Sequence, residues 1–348
     1  MLFNIYEGKP RYSLLDDLLN EPLNDITIGA NVNIIVDLKQ VYRKMFRNSI
    51  EIENTDPEYL KLEVERITSD IIGIVSHYRN YFYKYGKKSK FYFVYSEQEC
   101  SLLQQLNPDY KKEYYEKYFN SEENKEKIKL LKRCNKALKI MISGYLPNCY
   151  YIESSDFDEM AYFKYIIEES SDSDLNIILS NDENTYQLVN IKNTYCLTLA
   201  GLDTKAVSKK TLYSILDIKE DLNPGLYKVL LALSGNSRYS ISGVGGYGFK
   251  RGAKLLKRLI DNGTLQNTEY LIFPLKDGDL TEEQIIKATN NFDVFTCDKI
   301  YNENKILIAK KFISYKKLIN YDEFNELNSQ VFRNYPLDTA KLLRGTMK

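Results

Sequence analysis

Four short runs rich in β-branched and aromatic residues punctuate the first two hundred positions. They are VNIIVDL (Val32–Leu38), KFYFVYS (Lys90–Ser96), NCYYIESSD (Asn148–Asp156) and LNIILSND (Leu175–Asp182). Near-continuous apolar runs of this length suit strands buried on both faces, as in a parallel sheet. Helical patterning falls between them: roughly Glu58–Tyr83, the charged stretch from Pro108 to about Ser143, and FDEMAYFKYIIEES after the third run. Strands alternating with helices predict an α/β fold around an open, mostly parallel central sheet. Each run ends in an acid or a small polar residue, and ligand sites in such sheets lie outside the carboxyl ends of the strands. Asp37, Asp156, Asp158, Glu159 and Asp182 all fall there. Residues 1–30 lack periodicity and read as an extension, and a domain boundary is expected near residue 210, separating residues 31–210 from residues 211–348.

A second pattern begins after residue 223. In LSGNSRYSISGVGGYGFKRGAKLLKRL, Gly243, Gly245 and Gly248 have the spacing G-x-G-x-x-G. A dinucleotide fingerprint needs a strand directly before the first glycine and an acid about 20 residues on. Here Leu226, Leu230 and Leu233 precede it at helical spacing, and no apolar strand lies between Gly235 and Gly243. The segment reads instead as helix, glycine turn, helix. In such a hairpin Gly243, Gly245, Gly246 and Gly248 let backbone amides approach a phosphate. Lys250, Lys254 and Lys257 or Arg258 recur on one face of the second helix, with Arg251 beside them. That arrangement suits a nucleic-acid backbone held without reading sequence.

Composition narrows the chemistry. The 348 residues are 43% hydrophobic and 28% charged, with no Trp and 30 Tyr. Five cysteines without C-x-x-C spacing point to a reduced intracellular protein and no cysteine-based metal site. The single histidine, His77, lies in an apolar-aromatic run, so serine- or cysteine-histidine catalysis is not expected. No apolar run is long enough to span a membrane. The net charge is zero, but the charges are segregated. Tyr151–Glu183 holds ten acids and one cation, whereas Asn223–Ile260 holds seven cations and no acid. An acidic block beside a basic one suggests a cation site next to a phosphate-gripping surface. Carboxylates gathered at strand ends repel each other, and hard divalent ions with oxygen ligands relieve that repulsion. For Asp158 and Glu159 alone, helix capping is the competing explanation.

With both blocks in view, the chain resembles the flap endonuclease and 5′-3′ exonuclease family over about Asn33–Ile260. IIVDLKQVYRKMF looks like the family's first strand, whose Asp, here Asp37, is a metal ligand followed by a Tyr-Arg pair, here Tyr42 and Arg43. NPDYKKEY is similar to P-x-Y-K-x-x-R of the helical arch, with Lys111 at the phosphate-contacting lysine and Tyr114 where the arginine would be. SDFDEM resembles Y-E-A-D-D-V and aligns Asp156, Asp158 and Glu159 with its acids. ILSNDENTYQLV looks like I-V-S-G-D-K-D-L-L-Q-L-V, with Asp182 at the first Asp and Asn184 at the second. The glycine stretch is similar to G-D-x-S-D-N-I-P-G-V-P-G-I-G-P-K-T-A, which forms a helix-three-turn-helix in the family.

The resemblance implies a PIN-like nuclease domain with an arch over about residues 104–145 and the helix-three-turn-helix over about 226–260. It implies a structure-specific 5′-nuclease using Mg²⁺ or Mn²⁺, and a K⁺ site at the glycine turn. The metal ligands would be Asp37, Asp156, Asp158, Glu159 and Asp182, with Lys111 catalytic. Tyr42, Arg43, Gly243, Gly245, Gly246, Gly248, Lys250, Arg251 and Lys254 would contact 5′-ended or branched duplex DNA in a bacterial or phage-infected cell. Tyr110, Tyr114, Tyr115 and Tyr118, near Lys112 and Lys117, are candidates for base stacking. The departures concentrate at the second metal, where Asn184, Asn236 and Tyr239 replace acids, leaving at most a weak site. The alternative expectation is therefore a member that binds nucleic acid, within a larger assembly, without cleaving it.

Overall fold

The computed structural model describes residues 31–49, 57–96, 101–113, 116, 124–154, 156–199, 205–265 and 280–316. The expected N-terminal extension, Tyr114, Tyr115, Lys117 and Tyr118 lie outside the described residues. The strands are β1 (Asn31–Asp37), β2 (Lys88–Ser96), β3 (Cys149–Ser154), β4 (Leu175–Leu179), β5 (Asn193–Leu197) and β6 (Ala206–Val207). They form one sheet in the order β3-β2-β1-β4-β5-β6. All pairings are parallel except β5–β6. The chain winds outward from β1 to β3 and then returns to start β4 on the other side of β1. The reversal falls between β1 and β4, the position at which open α/β sheets form a ligand crevice at the carboxyl ends.

Side chains alternate across the sheet with period two. Ile34 and Val36, Phe91, Phe93 and Tyr95, and Ile177 and Leu179 face one core. That layer is closed by α1 (Leu38–Ser49), α2 (Pro57–Tyr83) and α4 (Lys125–Tyr145). Ile35, Tyr92, Val94, Ile152 and Ile178 face the other core. There α3 (Ser101–Leu106) and α5 (Glu159–Glu169) cover the sheet together with the C-terminal helices α7 (Tyr227–Ser234), α8 (Phe249–Asp261), α9 (Glu282–Thr296) and α10 (Asp298–Lys316). A four-residue turn of helix, α6 (Leu212–Ile215), leads into this half.

Two expectations change. Leu226, Leu230, Phe295 and Phe312 share one continuous apolar core with Ile35 and Ile178, so residue 210 does not separate two cores. Within the stretch expected as an arch, Leu130, Cys134, Leu138 and Met141 of α4 are buried at helical spacing against α2 and the sheet. From Leu130 onward that segment is a packed layer helix. Among the described residues no helix is long and apolar enough to cross a membrane.

Candidate acidic centre and nucleic-acid hairpin

Asp37 ends β1, and its carboxylate caps α1 by accepting the Gln40 N–H at 3.1 Å. Its second oxygen accepts the Ser180 hydroxyl at 2.6 Å. Ser180 follows β4, so this bond spans the reversal point of the sheet. Ser180 also accepts the Asp182 N–H at 3.0 Å. Asp182 then caps a 3-10 turn through Asn184 N–H at 3.0 Å, and its other oxygen accepts the Tyr239 hydroxyl. Asp158 caps α5 through Met160 N–H at 3.2 Å. Its other oxygen takes both the Tyr110 hydroxyl and the Lys111 ammonium at 2.8 Å. Glu159 accepts the Ser96 hydroxyl and lies 3.5 Å from Lys39 and 3.6 Å from Lys111. Lys39 in turn donates to Ser96 at 2.7 Å. Arg238 lies 3.8 Å from Asp182 and donates to Gln40 and to the Asn181 carbonyl.

The centre therefore gathers Asp37, Asp158, Glu159 and Asp182, none more than 4% exposed, and supplies three cations of its own. Burial works to raise Glu159, but Lys111, Lys39 and the Ser96 hydroxyl outweigh it and hold the carboxyl well below its ordinary range. Lys111 is raised well above an ordinary lysine, because Asp158 and Glu159 overcome the effect of its burial. Asp37 is the exception, held by a hydroxyl and a backbone amide rather than by an ammonium. Burial, then Glu159 and Asp182, push it up to about 7 against the hydrogen bonds from Ser180 and Gln40.

Several residues expected at the site are elsewhere or otherwise engaged. Tyr42 is fully buried, edge-on to Tyr95, and cannot touch DNA; α1 places Leu38, Val41 and Tyr42 in the core. Arg43 beside it is half-buried. Asp156 is half-buried ahead of α5, unlike the four acids of the centre. Lys111, expected on a phosphate, is buried on Asp158. Tyr110 is 2% exposed and so cannot stack on a base, while Lys112 is solvent-facing beside Asp109. Asn184 is turned away, donating to the Phe295 carbonyl and accepting from Gln187, and Asn236 caps the turn at Arg238 N–H. Both residues expected at a second metal site thus already use their side-chain oxygens within the protein. Among the described residues, no three Asp, Glu, His or Cys side chains are grouped so as to hold a metal ion. Lys39, Ser96, Ser180 and Arg238 carry no signal in the sequence, because their partners are remote along the chain. Ser96 is 57 positions from Lys39, Asp37 is 143 from Ser180, and Gln40 is 198 from Arg238.

The hairpin joins α7 to α8 through two antiparallel two-residue strands, β7 (Gly235–Asn236) and β8 (Ile241–Ser242), which the apolar pattern does not reveal. Its glycines serve two purposes. A Cβ on Gly243 would sit 2.3 Å from the Ser234 carbonyl oxygen, and one on Gly235 would sit 2.2 Å from Gly243 N. These two allow the hairpin's own backbones to meet. Gly245, Gly246 and Gly248 have nothing within 4 Å of a Cβ, and Gly246 has φ +87°. They form an open turn at the start of α8. Lys250, Arg251, Lys254 and Arg258 are exposed along that helix, while Leu255, Leu256 and Leu259 are buried on its other side. Lys250 pairs with Asp217, and Arg251 reaches the Gly246 carbonyl at 3.4 Å.

The hairpin and the centre are in direct contact. Lys111 N–H donates to the Tyr239 carbonyl at 2.8 Å, and Glu113 N–H to the Ser240 hydroxyl at 3.1 Å. Tyr239 packs between Tyr110 and Phe295, with ring centroids 5.6 and 5.9 Å away.

No family model matches the sequence, and no curated protein matches it. Solved structures do match. The D15 protein of phage T5, co-crystallised with metal ions, is 14% identical with a TM-score of 0.51, over 87% of this chain and 99% of that one. The T5 5′-exonuclease bound to zinc is 14% identical with a TM-score of 0.51, over 88% of this chain and all of that one. The T5 D15 flap endonuclease in a pseudo-enzyme-product complex with DNA and metal ions is 13% identical with a TM-score of 0.52, over 88% and 100%. At such identity the likeness concerns the fold, and the fold is that of the flap endonucleases.

Proposed function

We propose that this chain, built on the flap-endonuclease fold, is a nucleic-acid-binding protein that grips 5′-ended or branched duplex DNA. The grip is the α7–α8 hairpin, where the open turn at Gly245, Gly246 and Gly248 presents backbone amides and Lys250, Arg251, Lys254 and Arg258 supply charge. The acidic centre beneath it serves as an internally neutralised anchor for that hairpin. The observation carrying this reading is that Asp158, Glu159 and Asp182 already have cationic protein partners, Lys111, Lys39 and Arg238.

A pair of divalent ions needs several carboxylate oxygens open to it. Here those oxygens accept bonds from Ser96, Tyr110, Lys111, Ser180 and Tyr239. The donor set does not fit a resident two-metal centre. One observation favours the second reading, a metal-dependent 5′-nuclease: Asp37, buried and near Glu159 and Asp182, is held by a hydroxyl and a backbone amide rather than by an ammonium.

The test is fluorescence anisotropy of a labelled 5′-flap duplex in EDTA. The wild-type chain is expected to bind, and Lys250→Glu with Lys254→Glu to weaken binding at least tenfold. Equal affinity of the two proteins would remove the hairpin from the account.

A further inference from the structure

We propose that Lys111 is a built-in counter-ion, doing for Asp158 and Glu159 the charge balancing a divalent ion would otherwise do, and that it thereby fastens the DNA-gripping hairpin to the sheet. The inference rests on the preceding reading of the centre as neutralised by the protein's own cations.

Three independent features of Lys111 support it. Its ammonium is buried, 2.8 Å from Asp158 and 3.6 Å from Glu159, and so bridges two carboxylates as a metal ion would. Its backbone is in the left-handed region, φ 55°, which a residue with a Cβ adopts only when its surroundings impose it. Its own N–H reaches across to the Tyr239 carbonyl, and its ammonium lies 4.9 Å from the Tyr239 ring and 5.0 Å from the Tyr110 ring. One residue thus binds the acids with its side chain and the hairpin turn with its main chain.

The other side of the junction is built to match. Ser240 is also left-handed, φ 56°, and its hydroxyl receives the Glu113 N–H. Tyr239 reaches down to Asp182, and Arg238 bridges Asp182 and Gln40. The turn Ser237–Tyr239 is therefore held from both sides of the crevice, and Lys111 is the charged residue that holds it from the loop before residue 114. A buried ammonium cannot touch DNA, so any effect of Lys111 on DNA affinity must pass through the position of the hairpin.

The experiment compares wild type, Lys111→Met, Asp158→Asn and the double variant by thermal unfolding without DNA, in EDTA and in millimolar MnCl₂. Hydrogen exchange is followed over residues 236–248. The wild-type melting temperature is expected to be the same in both buffers. Lys111→Met should melt several degrees lower in EDTA, exchange faster over 236–248, and recover with Mn²⁺. The double variant should regain stability without Mn²⁺ and ignore the metal. Should Lys111→Met not fold, wild type and the double variant decide the matter alone. A Mn²⁺ response of the wild type, indifference of Lys111→Met to Mn²⁺, or a double variant no more stable than Lys111→Met would each overturn the proposal. The metal titrations are independent of duplex binding, so either conclusion can fail while the other stands.

Discussion

Tyr239, one of the departures expected from the resemblance, donates its hydroxyl to the buried carboxylate of Asp182. A hydrogen bond to a buried charge contributes about 1.5–3 kcal/mol. Tyr239→Phe should lower the unfolding free energy by that amount in urea titrations; an unchanged midpoint would mean that Asp182 is satisfied without it. The glycines separate just as sharply. Gly243→Ala must push backbone against the Ser234 carbonyl and is expected to cost more than about 2 kcal/mol. Gly245→Ala meets open space and should stay within about 0.5 kcal/mol of wild type. Both can be read from one denaturation series. At this scale the sequence displays the acids and the Tyr239 departure. It does not display Lys39, Ser180 or Arg238 as partners, because bonds across the crevice leave no local pattern. Resemblance alone would put Tyr42 on DNA, although Leu38, Val41 and Tyr42 share one apolar helical face.

Among the elements, the strand ends that place the centre are legible, since each run of apolar residues stops within a few positions of the observed strand. The short pairs β5–β6 and β7–β8 are not, because β6, β7 and β8 have two residues each and β5 opens on the polar Asn193 and Thr194. Helix α9 carries a local signal of its own, the T-E-E-Q start at Thr281, which forms a capping box with Gln284. Asn291 of that helix donates to the Ala232 and Ser242 carbonyls, so α9 braces the hairpin from behind. Helix α10 is held by charge: Asp298 accepts from Lys164 of α5 at 2.6 Å and Lys228 of α7 at 3.1 Å. Burial works to raise Asp298, but the Lys228 and Lys164 ammoniums outweigh it and lower its pKa below the ordinary value. A folded-state value below the unfolded one, about 3.9 for Asp, gives stability that is complete above that pH and lost as pH falls through the folded value. Wild type should therefore lose more stability on acidification below about pH 4 than Asp298→Asn does. Parallel acid-titration curves for the two proteins would show that this clamp contributes nothing.

For the whole molecule, a chain of zero net charge carries four acids, Asp37, Asp158, Glu159 and Asp182, into a buried centre and exposes Lys250, Arg251, Lys254 and Arg258 along the hairpin's second helix. That segregation is visible in the sequence, but its outcome is not, because counting charges does not say which of them neutralise one another. Lys111 looks like a DNA-side cation and Arg238 belongs to the basic block Asn223–Ile260, yet both turn toward the acids. The exposed hairpin cations should still give duplex binding a steep salt dependence. In Lys250→Glu with Lys254→Glu, the slope of log affinity against log salt should fall by about 0.9 for every phosphate no longer neutralised. The measurement that bears most directly on the central claim is cleavage of a labelled 5′-flap duplex at saturating protein, in Mg²⁺ and in Mn²⁺, beside Asp182→Asn. Both proteins are expected to shift the duplex and leave it intact in either metal. Metal-dependent cleavage by the wild type that disappears in Asp182→Asn would contradict a centre neutralised from within.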